Sequence, residues 1–185
     1  EPSIQAKDTR AADVRTSLLV LHVFQNTPDL LGYVAKVDKM YNGAIARVLA
    51  NGDFTGKKDE TLVLYAPNED TGIARVLLVG VGRKQDHTVE SVRRAVGTAI
   101  RAAEKMGITE ITISVGHVHH LSERMGNYNA GLAAVQAALL ATWDFREFKS
   151  KSEDAPPPKP IQDITLIAHE DAELREFKRA VDYGR

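Results

Sequence analysis

Three histidines form the only histidine cluster in the sequence. His117 and His119 alternate with Val118, so an extended backbone would place both imidazoles on one face, where they could bind one metal ion; His120 follows directly. A catalytic zinc site needs a third protein ligand, and no residue nearby is an obvious one. We therefore interpret this segment as a polar stretch that leaves a strand, and we assign it no metal.

Two glycine-containing segments are candidates for phosphate binding. Gly80–Gly82 (GVG) follows an apolar run and precedes a helical pattern, where a phosphate-binding loop would lie. The dinucleotide fingerprint requires a third glycine where Gln85 stands, so the motif is more typical of a tight strand-to-helix turn. Gly52–Lys58 (GDFTGKK) has too few residues between its glycines for a Walker A loop, and Lys58 replaces the required hydroxyl.

Motifs of hydrolytic enzymes are absent from the sequence. It contains no Gly-x-Ser-x-Gly elbow, no His-Glu-x-x-His zinc motif and no cysteine. The carboxylate pairs lie in predicted turns, loops or helix starts, where solvated or capping carboxylates are common; they are Glu69-Asp70, Glu153-Asp154 and Glu170-Asp171. We therefore assign no catalytic, cofactor-binding or metal-binding residue to this chain.

Composition is that of an ordinary globular chain, and it limits the classes of partner. The 185 residues carry a net charge of -1, which weighs against nucleic acid, and their number fits one domain spanning 1–185. No apolar run approaches the roughly 20 residues that span a bilayer, and no signal peptide is recognisable. We expect a cytoplasmic protein without a membrane partner. Because the first residue is Glu1 rather than Met, we also expect a processed or trimmed chain.

The elements that must position these residues are predicted by hydrophobic periodicity. Apolar residues three or four apart predict four helices, at Asp29–Ala50, Thr88–Met106, Asn129–Trp143 and Asp171–Tyr183. Short apolar or alternating runs predict five strands, at Ser17–Phe24, Thr61–Ala66, Ala74–Val81, Ile108–Val115 and Ile161–Ala168. The second and third strands, joined by a short turn, are predicted to pair antiparallel in a mixed sheet. Residues 149–160, charged and proline-rich, are predicted to be a loop. The alternation indicates an α/β layer sandwich.

Three segments resemble, in order, the N-terminal domain of leucyl aminopeptidases (the cytosol aminopeptidase family). Residues 52–67 (GDFTGKKDETLVLYAP) resemble the family's Gly-acid-Phe-x-Gly-Lys segment, and residues 75–84 (RVLLVGVGRK) are similar to its strand ending in Gly-x-Gly. Residues 136–150 (QAALLATWDFREFKS) resemble an aromatic-rich helix end, with Trp143 and Phe148 in place of tyrosines. Trp143 also continues an apolar stripe through Val135 and Leu139, so we expect it to be buried.

The resemblance implies a three-layer α/β/α macro-domain-like fold with a mixed β-sheet, and a place in a homohexamer. It implies that the two-metal peptidase site, with zinc or manganese, lies in a C-terminal domain whose metal-binding motifs do not occur in residues 1–185. Residues 170–185 would then begin the helix that leads to that domain. We expect a non-catalytic accessory and assembly domain, whose partners are its own catalytic domain and the other subunits.

Two other functions remain open at this point. A stand-alone macro-domain-like protein could bind ADP-ribose or a related nucleotide, with Gly80–Gly82 as the phosphate contact, although a likeness of fold is a weak argument for function. Some members of the resembled family also act as DNA-binding regulators, and the near-neutral charge of this chain weighs against that role.

Overall fold

The computed structural model describes residues 2–26, 30, 32–115, 125–143 and 159–184. In these ranges the chain forms six strands and five α-helices. The strands are β1 (Ser3–Asp8), β2 (Leu19–Val23), β3 (Thr61–Tyr65), β4 (Arg75–Gly80), β5 (Glu110–Ser114) and β6 (Asp163–Ala168). The helices are α1 (Gly32–Met40), α2 (Ala44–Ala50), α3 (Val89–Lys105), α4 (Asn127–Thr142) and α5 (Asp171–Gly184).

The six strands form one mixed sheet in the order β1-β6-β5-β2-β4-β3. All neighbours are parallel except β3, which pairs antiparallel with β4 as predicted. After β4 the chain crosses β2 to reach β5, so the direction of winding reverses at β2. Open α/β sheets bind their ligands at the carboxyl ends of the strands beside such a reversal. We therefore expect a functional site at the carboxyl edge of the sheet, that is, on the side where the parallel strands end.

Two hydrophobic clusters cover the two faces of the sheet and make the predicted three layers. Helices α3, α4 and α5 pack on one face, and α1 and α2 pack on the other. β4 supplies both clusters, since Leu77 and Val79 point to the first while Val76 and Leu78 point to the second. Burial on both faces explains why this strand appears in the sequence as an unbroken apolar run.

The helix predicted at Asp29–Ala50 is wrong in one respect, because the chain breaks it between α1 and α2. Asn42 and Gly43 have positive φ values of 54° and 75°, which end the first helix. The buried carboxylate of Asp38 then accepts a hydrogen bond from the N–H of Ile45 (2.8 Å), near the start of the second. The apolar spacing continues across the break, so periodicity alone could not reveal it.

The other three predicted helices are confirmed, with ends within two residues of those observed. The five predicted strands are also present, and β1 is a sixth that the sequence did not predict. Only Ile4 of β1 is both apolar and fully buried, so its pattern is weak, and its partner β6 lies about 160 residues away.

The cluster His117–His120 and the predicted loop 149–160, except its last two residues, lie outside the described residues.

The prediction that Trp143 is buried is wrong. Its side chain is 72% exposed. α4 ends at Thr142, and Trp143 follows it with an extended backbone (φ −70°, ψ 114°), so the side chain leaves the helical stripe that Val135 and Leu139 continue. Of the predicted stripe only Val135 is fully buried, because alanines and Gly131 form most of the buried face of α4. The spacing also could not show where the helix ends.

Candidate functional site at the carboxyl edge of the sheet

The glycine loop after β4 uses its backbone N–H groups within the chain. Gly80, Val81 and Gly82 each donate a hydrogen bond to a carbonyl oxygen. The acceptors are Glu60, Val23 and Gly56, at 2.8, 3.0 and 2.9 Å. A phosphate-binding loop needs such N–H groups directed at the ligand. A phosphate here would first have to displace three intramolecular hydrogen bonds, so the loop is a strand-to-helix turn, as the sequence favoured.

The segment after Gly52 fills the space beside this loop. Gly56 has a φ of +78°, and a Cβ at that position would lie 2.6 Å from the carbonyl oxygen of Phe24. A Cβ on Gly80 would overlap the carbonyl oxygen of Lys57. Both glycines are therefore required for close approach of two backbones. Phe54, which is fully buried, anchors the segment in the cluster below α1 and α2.

The carboxylate of Glu60 organises the same segment. Its Oε2 accepts hydrogen bonds from the N–H of Thr55 (2.9 Å), the hydroxyl of Thr55 (2.8 Å) and the N–H of Lys57 (3.1 Å). Desolvation raises the pKa of Glu60, but these hydrogen bonds outweigh it and the net pKa is lowered. Arg94 on α3 pairs with Asp59 and ties the segment to the helix beside a cavity of about 170 Å³.

His87 is a buried histidine between the glycine loop and α3. It is 6% exposed, its ring meets the Phe24 ring edge-on at 5.1 Å, and its Nδ1 has no hydrogen-bond partner among the described residues. Burial, and then the positive charge of Lys58, lower its pKa to about 4, so the imidazole is neutral near pH 7. A neutral imidazole can bind a metal ion. In the described ranges, however, no three His, Cys, Asp or Glu side chains are placed to hold one.

A serine and a histidine meet where β5 and β6 end. Ser114 is the last residue of β5, and its Oγ lies 3.1 Å from Nε2 of His169, which directly follows β6. The ring of Tyr33 on α1 stacks on the imidazole, with centroids 4.9 Å apart and planes at 27°. Glu173 on α5 accepts a hydrogen bond from the backbone N–H of His169 (2.6 Å). Burial, and then the Glu173 carboxylate, raise the pKa of Tyr33 above its usual range.

The residue types in this cluster are those of a nucleophile, a base and a carboxylate. Ser114 is only 1% exposed, however, and the Tyr33 ring covers one face of the imidazole, so a substrate carbonyl cannot reach the hydroxyl. The arrangement is a buried polar network that joins the ends of two strands to α1 and α5. Sequence reasoning missed it because Ser114 and His169 belong to no local motif. The available signal was a polar residue at the carboxyl end of each of two strands.

Of the remaining residues singled out in the sequence, those that the structure describes do not converge on a site. Glu69-Asp70 lies in an exposed turn between β3 and β4, and Glu170-Asp171 lies at the start of α5. Glu153-Asp154 falls outside the described residues, as does the histidine cluster. In the part of the chain that the structure describes, no helix is long and apolar enough to cross a membrane.

The layers and strand order define the class of fold, which is macro-domain-like α/β/α. A macrodomain mutant from Oceanobacillus iheyensis superposes with a TM-score of 0.69 and 8% identity, over 98% of this chain and 92% of that one. A tomato leucine aminopeptidase mutant superposes with a TM-score of 0.79 and 20% identity, over 100% of this chain and 35% of that one. At these identities the likeness shows the fold alone.

Sequence comparison then identifies the family. The model of the cytosol aminopeptidase family, N-terminal domain, matches residues 20–152. A probable cytosol aminopeptidase from Halorhodospira halophila is 31% identical over 183 residues, which cover 98% of this chain and 35% of the relative. The chain belongs to the cytosol aminopeptidase family and corresponds to its N-terminal domain. It spans about a third of the length of the curated relatives it matches.

Proposed function

We propose that this chain is the non-catalytic N-terminal domain of a two-metal leucyl aminopeptidase, which removes N-terminal amino acids from peptides. The observation that carries the proposal is the alignment with relatives named as probable cytosol aminopeptidases: it covers nearly all of this chain but only about a third of each relative. The rest of such a protein would hold two divalent ions, zinc or manganese. These ions would polarise the scissile carbonyl and activate a water molecule.

The geometry of the carboxyl edge supports an accessory and assembly role for this domain. Its glycine loop is occupied by the chain's own residues 56–58, and the Ser114 hydroxyl is buried against His169. Residues that would bind a ligand in another α/β protein here hold loops and helices together. We infer that the domain acts by packing, both against its own catalytic domain and within a homo-oligomer, with a hexamer as the expected form.

An activity assay tests this proposal directly. The 185-residue chain and the full-length protein are compared on leucine p-nitroanilide and Leu-Gly, each after loading with zinc, manganese or magnesium. We expect metal-dependent turnover by the full-length protein and none by the 185-residue chain. Turnover by the short chain that is lost in His117→Ala or His119→Ala would contradict its non-catalytic role. A full-length protein that cleaves neither substrate with any of the metals would contradict the aminopeptidase assignment.

A further inference from the structure

β3 is the edge strand of the sheet formed by the described residues. In the described part of the chain no strand pairs with its outer side, and its partner on the inner side is β4. Its sequence, TLVLY, contains no charged residue and no proline, and Tyr65 is 67% exposed. Natural edge strands are commonly protected from pairing by charges, proline or bulges. The opposite edge, β1, carries Lys7 and Asp8, whereas β3 has no such protection.

The hydrogen bonds between β3 and β4 show which backbone groups point outward. At the two ends of the pair, the N–H of Ala66 donates to the carbonyl of Ala74 (3.0 Å), and the N–H of Gly80 donates to the carbonyl of Glu60 (2.8 Å). The even-numbered residues therefore bond to β4. Because backbone groups alternate along an antiparallel strand, the odd-numbered residues of β3 direct their N–H and C=O groups away from the sheet.

We propose that β3 pairs antiparallel with β3 of a second copy of this chain, about a two-fold axis at Val63. In this register Val63 lies opposite Val63 of the second copy, and Thr61 lies opposite its Tyr65. By symmetry Tyr65 lies opposite Thr61 of the second copy, which makes three opposed pairs. The backbone groups of these residues point outward, so each pair can exchange two hydrogen bonds, about six in all. The two sheets then continue into one another.

The sequence of the edge is self-complementary, which favours a second copy over an unrelated strand. TLVLY is nearly symmetric about Val63, so Leu62 of one copy meets Leu64 of the other on the same face. An isologous interface requires such reciprocal contacts. Both leucines are only half-buried in the single chain, so pairing would remove further apolar surface from water.

The charges at the two ends of β3 are also complementary. Lys57 and Lys58 precede the strand, and Glu69 and Asp70 follow it; all four are exposed. At the first end Lys57, Lys58 and Arg94 outnumber Asp59 and Glu60 by one charge, so this end is basic. At the other end Glu69 and Asp70 outnumber Arg75, which lies over the Tyr65 ring, so that end is acidic. An antiparallel pair places the basic end of each copy beside the acidic end of the other. This arrangement favours the proposed direction and steers the encounter.

Sedimentation of the 185-residue chain over a range of concentrations tests the proposal. It does not depend on the proposed aminopeptidase role, because a chain without that role would have the same edge. We expect a reversible dimer with a dissociation constant on the order of 100 μM, since a five-residue edge is a small interface. Val63→Pro removes an outward N–H and no bond to β4, and should weaken the dimer about thirtyfold. Val63→Lys should also weaken it, without requiring proline to fit the strand.

Matched controls make the result specific to the edge. Ala46→Lys adds the same charge at an exposed site on α2 and should leave the dissociation constant unchanged. Glu69→Lys should weaken the dimer, and adding Lys57→Glu should restore it. In hydrogen exchange, the amides of Val63 and Tyr65 should gain protection as concentration rises, while that of Leu64 should not change.

Three results would overturn the proposal. One is a chain that remains monomeric up to about 1 mM, the weak limit of specific association. Another is a dimer that both Val63 variants leave unchanged. The third is protection of the β3 amides that occurs only in the full-length protein, while that protein is monomeric. This result would mean that another part of the same molecule pairs with β3.

Discussion

Ser114 and His169 are 55 residues apart in the sequence, yet Oγ of the serine lies 3.1 Å from Nε2 of the histidine. The register of the sheet brings them together, because Ser114 pairs with Ile167 and the side chain two residues later is on the same face. Since α1 and α5 also contact His169, through Tyr33 and Glu173, this bond lies at the junction of four elements.

Ser114→Ala should lower the free energy of unfolding by about 1 kcal/mol, as expected for loss of one buried hydrogen bond. Ser3→Ala, at an exposed position of β1, is the control and should have no measurable effect. Urea denaturation measures both. A fluorophosphonate probe should not label the chain, because the Ser114 hydroxyl is buried. Labelling that disappears in Ser114→Ala would contradict the structural role of the pair.

Acid should destabilise the chain through His87. Burial lowers the pKa of the His87 imidazole from 6.5, its ordinary value in an unfolded chain, to about 4 in the folded chain. The lowered pKa means that the contribution is complete above about pH 6.5 and is lost as pH falls toward 4, by up to about 3 kcal/mol. His87→Leu should remove this dependence. Denaturation curves from pH 7 to 4 that run parallel for the two proteins would contradict the assignment.

Gly56 and Gly97 should respond differently to substitution by alanine, because their backbone conformations and surroundings differ. Gly56→Ala should destabilise the chain by about 2 kcal/mol or more, because of its positive φ and the overlap with the Phe24 carbonyl. Gly97→Ala is the matched control. It lies inside α3 and meets only the flexible end of Arg101, so it should be neutral or stabilising by up to about 1 kcal/mol. Thermal unfolding measures the difference, and equal effects would contradict the close-packed loop.

Trp143→Ala should cost less than about 1 kcal/mol, because most of the indole already contacts solvent in the folded chain. Ile100→Ala, which empties a fully buried position of α3, should cost about 2–5 kcal/mol. Chemical denaturation of the two variants compares an exposed aromatic residue with a core aliphatic one. A loss of several kcal/mol for Trp143→Ala would show that the indole is buried after all.

ADP-ribose should not bind through Gly80–Gly82, since the three N–H groups of this loop already donate to carbonyls of the same chain. Titration calorimetry should show no saturable heat with ADP-ribose or with NAD. The exposed cations Arg83 and Lys84 would attract phosphate only weakly and in a salt-dependent manner. A micromolar dissociation constant that is lost in Gly82→Val would contradict this prediction and favour a nucleotide binder.

Much of the fold could be predicted because it follows from local patterns. The continuous apolar run of β4 reports burial on both faces, and the stripe of α3 reports one buried face. Thr88 precedes the stripe and forms a capping box with Ser91, so the start of α3 was also visible in the sequence. The motif GDFTGKK pointed to the family, and in the structure its Phe54 is buried and its Gly56 allows close approach to the backbone of Phe24.

The sequence by itself therefore determined the order and type of most elements, the antiparallel pair and the family. Only the tertiary structure decided which elements became neighbours. β1 joins β6 across about 160 residues, and Ser114 meets His169, because of strand order and register, which local periodicity does not encode. The exposure of Trp143 and the break at Gly43 were decided in the same way. An apolar period shows which face of a segment is buried, whereas the ends of a helix depend on caps and contacts formed after the chain has packed.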